Sequence, residues 1–372
     1  MANYKYIFLT LIDDEVIEEI DLFGVNAQRL LGEPGQFTGS FTFDQTGKQN
    51  IDLVAATTPG RTWMVMEREG VPVWWGIVWS RTYQSQAKEA QLFAWGFEAY
   101  PQKQVILTDF NRTATPNMEV FCDLWNDMQD SVAERNLGIG IPSSPPNTDP
   151  IDLTVLSTDY SYYGDIMDNI SNALNGFDWT IDLDKNADGS YSKHLRIGKP
   201  TIGVDPNSPD LIVFEYPGGI LNYYQSESMA DAGTDVFLLG SGEGSGMPIA
   251  MREQTSMLSI EGWPRWDIDV SYKDITDQTL LNNLADQEAI NRKPPMPTYT
   301  VTVKGDQDPQ FGSYNIGDAC QLVITDPRNP SIDGSAAGLS VPSVVLGYTI
   351  NPTSSQGVEE INLVLPGDTQ NG

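Results

Sequence analysis

A tryptophan-rich segment between residues 61 and 104 constrains this chain more than any other feature. Within it, Trp63–Arg68, Val71–Tyr83 and Glu89–Phe97 are predicted strands, joined by a tight turn at Glu69-Gly70 and by a second, polar turn. The middle strand has large apolar side chains at both odd and even positions: Val73, Trp75, Ile77 and Trp79 on one face, Trp74 and Val78 on the other. A solvated hairpin cannot cover both faces. The pattern therefore predicts an antiparallel meander that is buried on both sides.

Composition limits the size and the class of the protein. A length of 372 residues predicts two to four domains, and 40% hydrophobic residues indicate ordered globular structure. Lys and Arg total 21 against 51 Asp and Glu, a formal net charge of −30, which excludes a nucleic-acid interface built on clustered cations. Two interpretations of the acidity stay open: a surface charged for solubility, or a repulsive wall along a channel that DNA traverses.

Targeting segments and reactive cysteines are not expected. No stretch approaches the 18 apolar residues of a membrane span, and the apolar N-terminal run is too short for a signal peptide, so it predicts a first strand. Cys122 and Cys320 lie far apart in the sequence and form neither a disulfide framework nor a zinc spacing. Cys122 lies among apolar residues, which predicts a buried, unreactive thiol. Folding in the cytoplasm is the expectation.

The N-terminal third is predicted to be a β-domain and the next segment an α+β domain. Strands at Tyr4–Ile12 and Phe37–Phe43, separated by a turn at Gly32–Gly35, join the meander in a domain of residues 1–107. A helix then follows, with Thr115 as its cap and Pro116 at its first position. Its apolar stripe has helical spacing: Met118, Phe121, Leu124, Trp125 and Met128.

A second helix and a hairpin complete the α+β domain, predicted for residues 108–205. The helix carries its own stripe and is expected to end at Asn175-Gly176: Ile166, Met167, Ile170, Ala173 and Leu174. Phe177–Leu183 alternates apolar and polar residues and pairs with His194–Ile197 as a hairpin.

The remaining chain is again dominated by predicted strands. These are Leu211–Tyr216, Leu221–Glu227, Asp235–Gly240, Tyr299–Lys304, Ala319–Thr325, Val344–Thr349 and Ile361–Leu365. A third helix at Asp277–Arg292 has Leu280, Leu281, Leu284 and Ile290 as its apolar residues and ends before Pro294-Pro295. We therefore predict a second β-domain from residues 206–240 and 296–372, interrupted by a small helical domain at 241–295.

Three separate stretches carry a resemblance to a known family. The run PVWWGIVWSRTYQSQAKEAQLFAWGFEAY, centred on Trp75–Tyr83, resembles the N-terminal domain of minor tail proteins of actinobacterial siphophages, a group similar to the tail-tip or baseplate hub proteins of tailed phages. MDNISNALNGFDWTID resembles the insert that follows the first barrel in that family. Tyr272–Thr276 together with Pro297–Val301, and the turn Ile316-Gly317-Asp318, follow the family's later pattern.

The resemblance implies an architecture and a role. The fold class would be mainly β with an α+β insert, multidomain, with two tail-tube-like β-barrel domains plus smaller α+β domains. Three such chains would mimic a sixfold tail-tube ring. The protein would be a non-enzymatic virion component at the tail tip, assembled in the host cytoplasm. Its partners would be the tail tube protein, the distal tail protein, the tape-measure protein and a tail-tip fibre or spike, with DNA passing through the lumen.

Two short motifs resemble parts of known binding sites. Residues Asp184–Gly189 match the first half of a calcium loop, but Leu195 stands where the bidentate glutamate belongs, and the flanks are strands. A polar hairpin turn explains this motif better than a metal site. The run Gly240–Gly246 lacks the cation and the following helix of a phosphate cradle, and Glu243 would repel an anion. A loop is therefore predicted, and no metal or cofactor is expected.

Catalytic chemistry has little support, and one aromatic pair offers an alternative function. The single histidine, His194, lies beside Lys193 and Arg196 and belongs to no nucleophile motif. Paired carboxylates of a peptidoglycan hydrolase would be a third class of function, but no motif singles out any pair. Trp263 and Trp266 resemble a sugar-stacking pair, so a carbohydrate-binding adhesin at the tail tip is the alternative; a loop anchor or an interface explains the same residues.

Overall fold

The N-terminal part of the chain is a series of antiparallel strands with one short helix. The computed structural model describes residues 2–43, 45, 50–143, 145, 150–172, 176–199, 201–208, 211–230, 232–242, 244–272, 278–293, 296–331, 338–352 and 359–366. The first elements are β1 (Tyr4–Thr10), β2 (Val16–Glu19), β3 (Phe23–Leu30), β4 (Glu33–Thr42), α1 (Asn50–Ala56), β5 (Thr62–Arg68), β6 (Val71–Gln84) and β7 (Glu89–Trp95). The predicted meander β5–β6–β7 is confirmed, although β7 ends at Trp95 and Phe97 begins a 3₁₀ turn.

The middle of the chain is α+β, as predicted. Its elements are β8 (Phe110–Pro116), α2 (Asn117–Ser131), β9 (Ile139–Gly140), β10 (Pro150–Val155), α3 (Tyr163–Ser171), β11 (Asp178–Lys185) and β12 (Tyr191–Gly198). The predicted stripe of α2 is confirmed, since all five of its residues are buried. The predicted cap is wrong: the Thr115 hydroxyl bonds to the Thr113 carbonyl, and Pro116 stands at the cap position with no side-chain bond. Ala173, Leu174 and Asn175 of the second predicted helix lie outside the described residues.

The C-terminal part contains ten strands and two helices among the described residues. They are β13 (Ile212–Tyr216), β14 (Ile220–Ser228), β15 (Asp235–Leu239), β16 (Ile249–Glu253), α4 (Thr255–Ser259), β17 (Asp267–Ser271), α5 (Gln278–Asn291), β18 (Met296–Val303), β19 (Ala319–Ile324), β20 (Leu339–Val344), β21 (Gly347–Asn351) and β22 (Glu360–Pro366). Where one strand was predicted at Val344–Thr349, two strands meet. In the third helix Leu281 and Leu284 are buried, whereas Ile290 is exposed; Asp277 and Pro294-Pro295 lie outside the described residues.

An eleven-stranded sheet unites the two ends of the chain. Its order is β14-β18-β22-β21-β3-β4-β7-β6-β5-β1-β2. The contact between early and late strands is the antiparallel pairing of β3 with β21, from Gly347 opposite Leu30 to Ile350 opposite Ala27. Both halves share one hydrophobic core that includes Phe37, Trp74 and Tyr299. We call this cluster the inner core.

Strand β6 separates the inner core from a second core. Trp74 and Val78 belong to the inner core, whereas Trp75 and Ile77 face a second cluster that contains residues of α2, α3 and β11. Val73 was predicted on the face of Trp75 but packs in the inner core, because the β5–β6 register shifts after Met66. The prediction that both faces of this strand are covered is confirmed.

Three early elements were missed by sequence reasoning. The chain between the first predicted strand and Phe37 forms β2 and β3, and residues 50–56 form α1. Strand β3 has polar residues at Asn26, Gln28 and Arg29 and a glycine at Gly24, so it shows no apolar alternation. It is a strand because β4 and β21 both pair with it.

The predicted class, mainly β with an α+β insert in a multidomain chain, is confirmed. The α+β hairpin β11–β12 and the helices α2 and α3 pack on the outer side of the sheet. A three-stranded sheet in the order β16-β15-β17 packs on α5 through Val236, Leu238 and Leu281. The domain boundaries at 1–107, 108–205, 206–240 with 296–372, and 241–295 stay a prediction. None of the described helices is long and apolar enough to cross a membrane.

A substitution at Gly76 tests the packing of the meander. A Cβ at this position would lie 2.1 Å from the Trp95 carbonyl oxygen and 2.7 Å from the Trp74 ring. Backbone cannot yield to so close a contact, so we expect Gly76→Ala to lower the free energy of unfolding by roughly 3 kcal/mol. Urea titration measures the change. Gly246→Ala, where a Cβ meets nothing within 4 Å, is the matched control. Equal stability of the two variants would contradict the packing described.

Candidate interaction surfaces

Strand β14 leaves one edge of the eleven-stranded sheet open. It is nine residues long and pairs on one side with β18, and no described strand lies on its other side. Its sequence ILNYYQSES contains neither Lys nor Pro, and Tyr224 is 66% exposed. At the opposite end of the sheet, β2 has only four residues and α1 packs beside it. The two ends are therefore unequal: one is short and covered, and the other is long and open.

An edge of this kind is a template for another strand. Backbone N–H and C=O groups on an outer edge are unpaired, and monomeric proteins usually protect such edges with lysines, prolines or short strands. In β14 the charged side chain is Glu227, near the end of the strand, and it pairs with Arg328 at 3.1 Å. The rest of the edge carries no charge that would repel an incoming strand. This geometry favours addition of a strand from another chain.

The sheet also presents a broad face with almost no charge. Because Tyr299, Val301 and Leu363 point into the inner core, their sequence neighbours point to the opposite side. The side chains on that opposite side, from β14 across to β7, are Tyr224, Ser226, Thr298, Thr300, Thr302, Asn362, Val364, Thr349, Asn26, Gln28, Gln36, Thr38, Ser40, Gln91, Phe93 and Trp95. We call this surface the polar sheet face. Glu89 and Glu360 lie at strand ends, and their position in the alternation places them on the same side of the sheet.

The polar sheet face contrasts with the charge of the whole chain. Seven strands with six spacings of about 4.8 Å make it roughly 30 Å wide. A chain with a net charge of −30 repels other copies of itself wherever acidic surfaces approach. A wide surface of Thr, Ser, Asn and Gln removes that repulsion and still offers hydrogen bonds.

A buried polar junction fixes the α+β part to the sheet. The Arg29 guanidinium lies 3.8 Å from the centre of the Trp75 ring and donates from Nη2 to the Thr180 hydroxyl and the Ile181 carbonyl, each at 3.1 Å. Glu98 accepts from the Ile181 N–H at 3.0 Å. Burial raises the pKa of Glu98. The positive charge of Arg29 and the hydrogen bonds that Glu98 accepts from Ile181 and Thr180 act in the opposite direction. Sequence reasoning missed both residues; the only signal was a lone charge in the aromatic run around Glu98.

A second ionic contact ties the N-terminal strands to the C-terminal segment. Arg68 on β5 donates two hydrogen bonds to Glu359, from Nε at 2.8 Å and from Nη2 at 2.7 Å. The Tyr4 hydroxyl donates to the same carboxylate. A bidentate arginine pair with little exposure is geometrically specific, so it fixes the register of the two ends.

The calcium-like segment is a hairpin turn. Asp184 and Lys185 end β11, residues 186–190 form the turn into β12, and the predicted pairing of these strands is confirmed. The Ser190 N–H donates to Asp188 Oδ1 at 3.0 Å, and Asn186 N–H donates to the Ser190 carbonyl at 2.8 Å. Leu195 is buried in the second core. Among the described residues, no group of three or more His, Cys, Asp or Glu side chains could hold a metal ion.

The other residues singled out by sequence belong to separate elements of the fold. The described part of Gly240–Gly246 is a loop with a 3₁₀ turn between β15 and β16, and Glu243 lies outside the described residues. His194 Nδ1 lies 3.5 Å from Asp184 Oδ2 on the β11–β12 hairpin. Cys122 and Cys320 are both buried, and burial raises the pKa of each thiol to about 12.

The two tryptophans of the alternative function differ in exposure. Trp263 is half-buried, and Trp266 is 50% exposed. The backbone of Trp266 holds its loop in place, because its carbonyl accepts from the N–H groups of Thr234 and Asp235. A loop-anchoring role is therefore visible at Trp266, and its ring remains accessible.

The fold is similar to that of phage tail proteins. The tail protein from Neisseria meningitidis MC58 matches with a TM-score of 0.62 at 12% identity, over 98% of this chain and 97% of that chain. The 43 kDa tail protein of prophage MuSo2 from Shewanella oneidensis gives 0.60 at 12% identity, over 97% and 98%. The E. coli c3393 protein, a type VI secretion component with structural similarity to T4 bacteriophage tail proteins gp27 and gp5, gives 0.50 at 6%, over 94% and 74%.

At such low identities the likeness establishes the fold. The predicted tail-protein architecture is thereby confirmed over nearly the whole chain. No protein-family model matches the sequence, and no curated protein matches it.

The half-buried Asp178 at the start of β11 predicts a pH dependence of stability. Burial raises the pKa of Asp178 to about 6, so the folded protein binds a proton that the unfolded chain has released between about pH 4 and pH 6. Stability from this group is therefore lost as the pH rises through that range. We expect Asp178→Asn to stabilise the protein at pH 7 by roughly 2 kcal/mol, with the difference vanishing near pH 4. Thermal unfolding at several pH values measures this. Exposed Asp159→Asn is the control; equal profiles for both variants would refute the assignment.

Proposed function

We propose that this chain is a structural component of a phage tail tip, a hub that joins the tail tube to the host-recognition apparatus. The observation that carries the proposal is the open nine-residue edge of β14 at the end of an eleven-stranded sheet, in a chain with the fold of phage tail proteins. The role is mechanical and needs no catalytic centre. The protein acts in the virion, at the tail.

The proposed mechanism is ring closure by strand addition. A strand of a neighbouring copy pairs with β14, and repetition of the same contact produces a closed ring of copies. Pairing of β14 with β14 of another copy would stop at a two-fold dimer, so ring closure requires that β14 pair head-to-tail with a different segment of the neighbouring copy. Three copies, each with two tube-like β-domains, would match a sixfold tail tube. The polar sheet face keeps acidic surfaces apart within the ring, and DNA leaves through the central opening.

The wider set of partners follows from this placement. The ring would contact the tail tube protein and the distal tail protein on one side, and a fibre or spike on the other, with the tape-measure protein ending in the lumen. The actinobacterial siphophage type belongs to the same proposal and rests on the sequence resemblance around Trp75–Tyr83. No residue of the chain is assigned to catalysis, a cofactor or a metal.

A lysine on the open edge tests ring closure. Ser226 is exposed and lies opposite Thr298 of β18, so Ser226→Lys places a charge on the edge without disturbing the core. We expect unchanged folding and at least a tenfold loss of assembly, because edge lysines oppose strand addition. Sedimentation velocity at rising concentration and negative-stain images of the protein mixed with tail tubes measure the loss.

The matched control carries the same charge change elsewhere. Ala133→Lys lies in an exposed 3₁₀ turn of the α+β part and should assemble like the unmodified chain. If free copies stay monomeric, rings should still form on the tubes. Rings of normal yield from Ser226→Lys would rule out β14 as the joint.

A carbohydrate-binding adhesin at the tail tip is the alternative, favoured by one observation. The Trp266 ring is half exposed, and aromatic faces hold sugar rings well. Binding on a glycan array that is lost on Trp266→Ala would support the adhesin; binding to tail tubes that is unaffected by this substitution would support the hub.

A further inference from the structure

The small sheet β16-β15-β17 has one face that α5 does not cover. The helix packs on the inner face, against Val236 and its neighbours. Side chains alternate between the two faces along a strand, so Phe237 and Leu239 of β15 point to the outer face. On β16, Ile249 and Met251 point the same way and are 49% and 41% exposed. We call this surface the outer small-sheet face.

The strand register arranges the outer small-sheet face in three rows. Across β16, β15 and β17 they are Glu253, Asp235 and Asp267, then Met251, Phe237 and Asp269, and then Ile249, Leu239 and Ser271. Four apolar side chains therefore form a block beside a row of three carboxylates. A sheet face that remains in water usually carries polar side chains. An apolar block with an acidic border instead indicates a surface that a partner covers.

The acidic border is only partly neutralised. Arg265 lies 3.3 Å from the buried Asp235 and 2.7 Å from the exposed Asp267. Glu253 and Asp269 are exposed, and neither has an ion-pair partner among the described residues. Four carboxylates and one guanidinium leave an excess of negative charge on this face. A positively charged partner is therefore favoured.

The dimensions of the face suit one helix. Two strand spacings of about 4.8 Å and five residues of about 3.3 Å each make it roughly 10 Å by 17 Å. On the inner side, α5 alone packs against all three strands. An α-helix with its side chains is about 10–12 Å in diameter, so one more helix of similar length covers the outer face.

The charge of the chain argues against a helix of its own or of a second copy. None of the five described helices contains a Lys or an Arg. A second copy would also bring a net charge of −30 to a border that is already acidic. The occupant that fits is a helix from a different protein.

We propose that the outer small-sheet face binds a basic amphipathic helix of another protein. The apolar side of that helix covers the block of four apolar side chains, and its Lys or Arg residues pair with Glu253 and Asp269. Apolar contact supplies the affinity, and the charges select the partner and its orientation. This contact lies on the small sheet, whereas ring closure uses β14, so either can fail without the other.

Binding of designed peptides tests the proposal. The probe is a fluorescent peptide of two LKKLLKL repeats, which has the length of α5. Its counterparts carry Glu in place of every Lys, or the same residues in a scrambled order without an apolar helix face. Fluorescence anisotropy with the full chain should show saturable binding of the probe that weakens with salt, and much weaker binding of both counterparts. Equal binding of the probe and the scrambled peptide, or no binding of the probe, would overturn the proposal.

A matched pair of variants locates the apolar contact. Ile249 and Ile12 are both 49% exposed, and Ile12 lies in the turn after β1. We expect Ile249→Ser to weaken binding of the probe about tenfold, because an apolar contact is lost, and Ile12→Ser to change it less than about twofold. Melting temperatures establish that both variants fold. Equal affinities of the two variants would place the peptide elsewhere.

A second matched pair locates the ionic contact. Asp269→Asn removes a charge from the border, and Asp159→Asn removes one from an exposed 3₁₀ turn of the α+β part. We expect the first substitution to weaken binding of the probe and to lower its dependence on salt, and the second to leave both unchanged. Equal salt dependence of the two variants would contradict recognition by charge.

Sedimentation velocity of the full chain tests a second copy as the occupant. Self-association that is abolished by Ile249→Ser but not by Ser226→Lys would place another copy on the outer small-sheet face and overturn the proposal. Self-association that responds to Ser226→Lys alone belongs to β14 and leaves the outer face free for the helix, as expected.

Discussion

The structure depends on the two-sided burial of strand β6. Trp74 fills the inner core and Trp75 the second core, so one strand holds two layers of the protein together. The Trp74 indole N–H donates to the Gln28 carbonyl, and the Trp75 indole N–H donates to the Ile181 carbonyl, each at 2.9 Å. Both rings are therefore fixed by a hydrogen bond as well as by packing. Gly76 lets the β7 backbone approach closely beside them.

The two ends of the chain are united in the same sheet. Pairing of β3 with β21, and the Arg68–Glu359 ion pair, bring residues of opposite ends of the sequence into one sheet and one core. The result is a wide sheet whose two edges differ: β14 is long and open, and β2 is short and covered. Charge is sparse on the polar sheet face although the chain as a whole is strongly acidic. A surface with few charges lets a strongly acidic chain approach a partner, because like charges otherwise keep acidic surfaces apart.

Sequence reasoning succeeded where a pattern is local. The meander, α2 and the β11–β12 hairpin follow from periodicity in Val71–Tyr83, in the stripe around Trp125 and in Phe177–Leu183. It failed where pairing from distant residues decides the outcome, as in β3, whose polar residues form a strand because β4 and β21 flank it. Thr115 is a good cap by type, but its hydroxyl bonds to the nearby Thr113 carbonyl instead.

The surfaces were less accessible to sequence reasoning than the fold. No motif marks Arg29 or Asp182, because their roles arise from strands that are far apart in sequence. Which strand lies open depends on the order of the sheet, which no local sequence pattern shows. The length of β14 and its lack of lysine become informative only once that order is known.

Hydrogen exchange at β14 tests the central claim most directly. Peptides that cover residues 220–228 should exchange their outward amide protons quickly in the isolated chain, because no described strand pairs with that edge. In purified tails that contain the protein, the same peptides should become strongly protected. Unchanged fast exchange of β14 in assembled tails would contradict the account.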